Sequence, residues 1–261
     1  MRCKICQQKT DPFARAQILT TYEIQYYACP TCGFIQTEEP YWLDEAYATP
    51  IGRVDVGLLS RNIVLSRILK ALIGSFFRQD GRFLDYGGGY GVLVRLMRDQ
   101  GYDFYRSDAF CANLFAQGFD ADKVHAAQPA YELLTAFEVF EHLVDPRDAV
   151  AHMLDYSSSI FFSTLLVPRS RPNPDAWWYY SLAGGQHVSL YTRRSLAIIA
   201  RSHKLRLYSN GTSLHLLTKK HIPAGFFQLI SHYRVATLLN MFIRRPSLTL
   251  SDMQQVLNKP K

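Results

Sequence analysis

Four of the five cysteines fall in two pairs of the same spacing, Cys3-Lys4-Ile5-Cys6 and Cys29-Pro30-Thr31-Cys32. A CxxC turn puts two sulfurs on one side of a tight loop. Two such turns supply four thiolates, the number that tetrahedral Zn²⁺ takes. With every position filled by sulfur, nothing is left open for water or substrate, so Cys3, Cys6, Cys29 and Cys32 are expected to hold a structural zinc. A redox pair would need a thioredoxin-like βαβ pattern around it, and the surrounding residues do not supply one. So small a module buries little core, and the metal is expected to supply most of its folding energy.

The second group is Asp85-Tyr86-Gly87-Gly88-Gly89-Tyr90-Gly91, after the apolar run Phe83-Leu84. Counted from Gly87, the dinucleotide fingerprint GxGxxG fails, because position 92 is Val. The phosphate loop GxxxxGK[ST] fails as well, because no Lys opens the following helix. The pattern that fits is DxGxGxG, an acidic residue at a strand end followed by glycines that let a ligand approach the backbone. Asp108 lies 21 residues after Gly87, at the end of the next strand. A carboxylate there can accept from both ribose hydroxyls and repels a 2′-phosphate. The helix N-terminus after the loop favours a carboxylate. An adenosyl group, a ribose diol and an amino-acid tail together describe S-adenosylmethionine.

Methyl transfer from a sulfonium is an in-line displacement in which the cofactor supplies electrophile and leaving group. The protein must align the acceptor and take its proton. His187, in "GGQHVSLYT", follows the fifth strand at the carboxyl edge of the sheet and is the expected general base. Tyr47 is the second polar candidate. His142 and Glu141, in "FEVFEHL", read more readily as structural. Trp177, Trp178, Tyr179 and Tyr180 could stack on a sugar or base face or pack as a lid. Tyr41 and Trp42 stand with Tyr47 at the junction after the cysteine module.

The elements that must position these groups alternate. "AQILTTYEIQYYAC" between the cysteine pairs is rich in β-formers and predicts a hairpin. Apolar residues at helical spacing predict a helix over 61–79. A strand over 82–86, a helix ended by Gly101 and a strand ending near Asp108 follow. Residues 132–139 and 159–167 read as buried strands, with a helix between them that Asp145 is placed to cap. Such alternation predicts a parallel sheet covered by helices. "LRLYS-NG-TSLHLLTKK" predicts a closing antiparallel hairpin with a two-residue Asn210-Gly211 turn. The last forty residues read as an appended helical segment, apolar on too many faces to stand free.

These motifs resemble those of class I S-adenosylmethionine-dependent methyltransferases: "LDYGGGYGVLVRLM", "AFEVFEHLVDP", "GGQHVSLYTRRSL" and the closing "NGTSLHLLTKK". The cysteine pairs ahead of this domain are similar to a narrower group, sugar C-methyltransferases acting on nucleotide-linked deoxysugars and relatives associated with surface glycans. The resemblance implies that Asp85, Gly87 and Gly89 surround the methionine part, that Asp108 holds the ribose and that Phe110 packs on adenine. It implies that Phe137 and Glu138 line the amino-acid end. Those sugar enzymes carry their base at the position of His187, within Tyr-x-Glu-His; this chain has Gly184-Gly185-Gln186-His187 instead.

The expected fold is therefore α/β, a Rossmann-like methyltransferase sheet ending in an antiparallel hairpin. Residues 1–45 form the zinc module, 46–220 the methyltransferase domain and 221–261 the appendage. A net charge of +7 and a pI near 9.1 suit an anionic partner, and a small sugar- or nucleotide-linked acceptor is expected. An RNA methyltransferase gripping its substrate with the zinc module is the alternative. Against it, "FEVFEH" stands where amino-group base methylases carry Asn-Pro-Pro-aromatic. A non-catalytic scaffold is disfavoured by the intact Asp85, glycines and Asp108. No apolar leader core follows "MRCKICQQ" and no long uninterrupted apolar run occurs, so a cytoplasmic protein is expected.

Overall fold

The computed structural model describes residues 1–48, 55–121, 131–223 and 225–258. The chain divides into two compact units, and neither is a simple run of sequence. One comprises residues 1–52, 137–152 and 162–219, the other residues 53–136, 153–161 and 220–261.

The first unit carries the cysteine pairs. Strands β1 (Asp11–Ile18) and β2 (Tyr22–Ala28) form the expected hairpin, and β3 (Ile35–Thr37) joins β2 antiparallel. The sheet is completed by the two-residue β8 (Ser189–Leu190), antiparallel to β3. Ala16, Ile18, Ile24, Tyr26 and Ile35 turn inward onto Trp42, Tyr179, Tyr180 and Val188. The indole N–H of Trp42, the residue just ahead of the one-turn helix α1 (Leu43–Ala46), donates to the Gly185 carbonyl at 2.7 Å, so its polar edge is satisfied inside that core. Helix α5 (Arg193–Ser202) starts at a reciprocal cap in which Thr192 and Ser195 each bond the other's backbone N–H.

The hairpin of β9 (Arg206–Ser209) and β10 (Leu214–Thr218) is present and antiparallel, but its turn is longer than two residues. Ser209 pairs with His215, and the Asn210 side-chain oxygen accepts from the amides of Thr212, Ser213 and Leu214. One asparagine thereby organises a wider loop, which the Asn-Gly dipeptide alone does not reveal.

In the second unit, β4 (Arg82–Tyr86) lies between β5 (Asp103–Ser107) and β6 (Leu133–Ala136), parallel to both. The large sheet, which includes β7 (Ser159–Ser163) and the β9–β10 hairpin, runs β5-β4-β6-β7-β10-β9; an α/β sheet with a terminal antiparallel hairpin is the expected fold class, while the strand order is not legible in the sequence. Helix α3 (Val92–Asp99) follows the glycine loop and α4 (Pro146–Tyr156) precedes β7. Helix α2 spans Leu58–Phe76 rather than 61–79, because Phe77 is already extended. Strand β7 ends at Ser163, short of the expected 167. Beyond it the amides of Thr164 and Leu166 turn to the carbonyls of Ser213 and Thr212.

Among the described residues, the carboxyl-terminal segment forms three short helices, α6 (Phe226–Ile230), α7 (Tyr233–Asn240) and α8 (Thr249–Leu257). Helix α7 packs along α2. Helix α8 is fixed by a buried ion pair: Arg98 donates to both Asp252 carboxylate oxygens at 2.9 and 2.7 Å, and Arg95 adds a third bond at 2.9 Å. Among the described residues, no helix is long and apolar enough to cross a membrane. Removing one partner of a buried pair leaves the other charge uncompensated. Asp252→Ala is expected to lower stability by about 3–5 kcal/mol in urea unfolding, whereas a change at exposed Ser251 leaves it nearly unaltered.

Candidate functional site

The glycine loop begins where β4 ends, and its backbone groups are taken up by two side chains from the end of β5. Asp108 accepts from the Gly89 amide at 2.8 Å and from the amides of Phe110 and Cys111 at 2.8 and 2.7 Å. Arg106, almost wholly buried, donates to the Gly89 carbonyl at 2.6 Å, to Asp120 at 2.8 Å and to the Cys111 carbonyl. A carboxylate has about four acceptor positions. Three are occupied at Asp108, which leaves one on Oδ2 for an incoming donor. Gly89 has φ +52°, a conformation that costs a residue with a Cβ. At Gly88 a Cβ would stand 2.8 Å from an Asp85 oxygen.

Asp85 itself is buried and accepts from the Thr135 hydroxyl at 2.6 Å. Burial pushes its carboxyl up to about 7; the Thr135 bond and Arg106 oppose that rise, and the Asp108 charge adds to it. The Phe110 ring is 62% exposed, so it is a surface side chain rather than a core one. Asp85, Gly87, Gly89, Asp108 and Phe110 thus gather around one loop of the second unit.

The other expected residues belong to the first unit. Glu138 has φ +56°, a strained value that ends the extended run of β6. The strain is held by Ser163, whose hydroxyl oxygen accepts from the Glu138 amide at 2.8 Å and whose O–H donates to the Glu138 carboxylate at 2.5 Å. Phe137 beside it is half-buried.

His187 lies at the centre of a small polar cluster. Its Nδ1 is 2.6 Å from the Tyr179 carbonyl oxygen. A carbonyl only accepts, so Nδ1 carries the proton and Nε2 keeps its lone pair. Burial lowers the His187 pKa to about 4, although the carbonyl bond opposes the fall. The His142 ring stands edge-on to that of His187, with centroids 5.0 Å apart, and its Nδ1 lies 3.0 Å from the Tyr47 hydroxyl. Burial, with His187 adding to it, lowers the His142 pKa to about 3. Both imidazoles are neutral at ordinary pH, and both keep some exposure. Glu141 is fully buried; burial first and Glu138 second raise its carboxyl to about 8, and neither oxygen has a hydrogen-bond partner among the described residues.

His187, His142 and Tyr47 are therefore linked in one cluster. Glu141, His142 and His187 each offer a donor atom within 4.8 Å of the others, a set that could hold a divalent cation. Of the aromatic loop, Tyr179 and Tyr180 are core residues, whereas Trp178 is 77% exposed.

The sulfurs of Cys3, Cys6, Cys29 and Cys32 also lie within 4.8 Å of one another. Cys3 and Cys32 are 3.6 Å apart and Cys6 and Cys29 3.4 Å. Amides of Ile5 and Cys32 point at the sulfurs of Cys3 and Cys29, as suits thiolate acceptors.

Arg106, Thr135 and Ser163 were not singled out from the sequence, and Tyr179 was read only as an aromatic face, not for the backbone carbonyl that meets His187. Arg106 had a signal: alternation along β5 puts it on the same face as buried Phe104, and a charge there needs partners. Thr135 and Ser163 act across long separations and carry no comparable sign.

A model of the methyltransferase-domain family matches residues 61–210, more than half of the chain. The chain belongs to that family. Among solved structures it is similar to the Burkholderia thailandensis 1,6-didemethyltoxoflavin-N1-methyltransferase with bound 1,6-didemethyltoxoflavin and S-adenosylhomocysteine. That match has 14% identity, covers 78% of this chain and 97% of the other, and has a TM-score of 0.48. A plantazolicin methyltransferase in complex with S-adenosylhomocysteine is 12% identical over 68% of this chain and 89% of its own, TM-score 0.47. Human N-acetylserotonin methyltransferase with S-adenosylmethionine is 16% identical over 64% of this chain, which spans 52% of that enzyme, TM-score 0.42. No curated protein sequence matches the chain.

The histidines set a pH dependence. An unfolded histidine titrates near its ordinary value of about 6.5, whereas His142, His187 and His215 are lowered by burial to about 3, 4 and 4. Between those values the unfolded chain binds more protons. The stability these groups contribute is complete above about pH 6.5 and is lost as pH falls through about 4. Asp85 and Glu141, both raised, tilt the other way, so the test is a difference between proteins. In urea unfolding at pH 7 and pH 5, His215→Gln is expected to lose less stability on acidification than the wild type; equal losses would remove His215 from the account.

Proposed function

We propose that the protein transfers a methyl group from S-adenosylmethionine to a small sugar- or nucleotide-linked acceptor, with His187 taking the acceptor's proton. The observation that carries this reading is the tautomer of His187. Its Nδ1–H is committed to the Tyr179 carbonyl, so the free lone pair sits on Nε2, which a general base requires. The lowered pKa keeps that lone pair unprotonated at neutral pH. When bound, the cofactor supplies an electrophilic methyl and a neutral leaving group.

In this reading the glycine loop gives backbone access to the methionine part beside Asp85, Gly87 and Gly89. The remaining acceptor position of Asp108 serves the ribose, and the exposed Phe110 ring serves adenine. Phe137 and Glu138 serve the amino-acid end. Tyr47 holds His142 in place. Calorimetry is expected to show binding of S-adenosylmethionine to the wild type and at least a tenfold loss in Asp108→Ala. His187→Ala should bind the cofactor normally and lose turnover with candidate acceptors. Turnover in the wild type should persist down to near pH 4, because only there does the base protonate. Unchanged turnover in His187→Ala refutes the role of base.

A second reading is favoured by the closeness of Glu141, His142 and His187: a divalent cation there would make His187 a ligand instead. Activity abolished by EDTA and restored by Mg²⁺ or Mn²⁺ would select it.

The four cysteines fit structural zinc, since an all-sulfur set of four closes the coordination shell. Metal analysis is expected to find one zinc per chain, with Cys29→Ser losing both the metal and the fold of the first unit. A metal-free, folded wild type would refute this.

A further inference from the structure

The segment from Lys220 to Ser251 carries four Lys or Arg residues and no Asp or Glu. Within it, Arg234, Leu238, Met241 and Phe242 are spaced i, i+4, i+7 and i+8, which places them on one side of α7 and its final turn. The helical path continues past α7, since the Phe242 amide bonds the Leu239 carbonyl at 3.1 Å. Leu238, Met241 and Phe242 are 61%, 67% and 86% exposed.

These side chains are not loose ends. On one side, the Asn240 amide donates to the Arg67 carbonyl at 2.8 Å and the Tyr233 hydroxyl bonds Arg67. On the other, Ile243 packs so closely on α2 that its methyl occupies the space a side chain at Gly74 would need. Arg245 then donates to the Gly101 carbonyl at 2.9 Å and lies over the Tyr102 ring. Fastened before and after, the chain holds Met241 and Phe242 outward. The next helix does the same: Asp252 is tied inward by Arg98, while Leu250, Met253 and Leu257, spaced i, i+3 and i+7, are exposed.

We infer that this face binds an anionic membrane surface. Leu238, Met241 and Phe242 enter the boundary between headgroups and acyl chains, and exposed Arg234 and Arg244 meet the lipid phosphates. Shallow insertion of an apolar ridge beside cations, in a segment without acidic residues and with nearby Asp99 paired to Arg95 and Thr249, is the physics of a peripheral anchor. A protein partner suits it less well. Stable protein interfaces draw on roughly 20–30 residues a side, and this ridge offers a few protruding side chains. The inference does not rest on the methyl-transfer reading.

Sedimentation of the full chain with vesicles tests it. Binding is expected to vesicles of phosphatidylcholine mixed with phosphatidylserine, to weaken as salt rises, and to be negligible with phosphatidylcholine alone. Arg234→Gln and Arg244→Gln should each weaken binding about fivefold, the effect of roughly 1 kcal/mol per charge. Met241→Asp with Phe242→Asp should abolish it without lowering the melting temperature, since both side chains are already exposed. No binding to the anionic vesicles overturns the inference. So does binding that the aspartate variant retains in full, which would be charge alone. A dimer that the aspartate variant dissolves, with no vesicle binding, would assign the ridge to a second copy of the chain and overturn it as well.

Discussion

A run of glycines after a strand has no side chains with which to hold its own shape. Here the loop after β4 depends on one carboxylate and one guanidinium, Asp108 and Arg106, which between them take up an amide and a carbonyl of Gly89 and fasten the turn that follows β5. Burying Arg106 is tolerable only because Asp120 and two carbonyls accept from it. The charges therefore define the loop's geometry, and the glycines make that geometry sterically possible. The loop's backbone is thereby preorganised by its neighbours.

The first unit applies the same logic to different chemistry. The Tyr179 carbonyl fixes one nitrogen of His187, and the Tyr179 hydroxyl is itself held by the Leu165 amide at 3.0 Å. A core tyrosine thus sets which nitrogen of a partly exposed imidazole is available. Glu138, strained at positive φ and tied to Ser163, shows a second place where local cost is accepted to aim a side chain.

The α/β alternation, the hairpin at the end and the four-cysteine set were legible in the sequence, because each rests on spacing within a short stretch. The partners that complete them were not. Thr135 meets Asp85 across 50 residues and Trp42 meets Gly185 across 143. Strands β3 and β8, of three and two residues, are too short for alternation to register. The turn of the last hairpin was misjudged because Asn210 bonds three amides ahead of it, an effect of one side chain rather than of a dipeptide. In the candidate site, Asp108 and His187 could be named as candidates from their motifs, but not the three amides already held by Asp108 or the hydrogen bond that sets the tautomer of His187.

Thr192 joins two features that look separate in the sequence. Its hydroxyl accepts from Ser195 to cap α5 and donates to the Cys32 carbonyl at 2.6 Å, while its methyl fills the space that a side chain at Gly33 would need. A single oxygen therefore serves both the cysteine turn and the start of a helix far along the chain. The amino-terminal segment is not a detachable ornament: cutting it away would remove the carbonyl to which Thr192 donates and uncover the apolar face of β8. A shortened version of this protein would begin life with a raw edge.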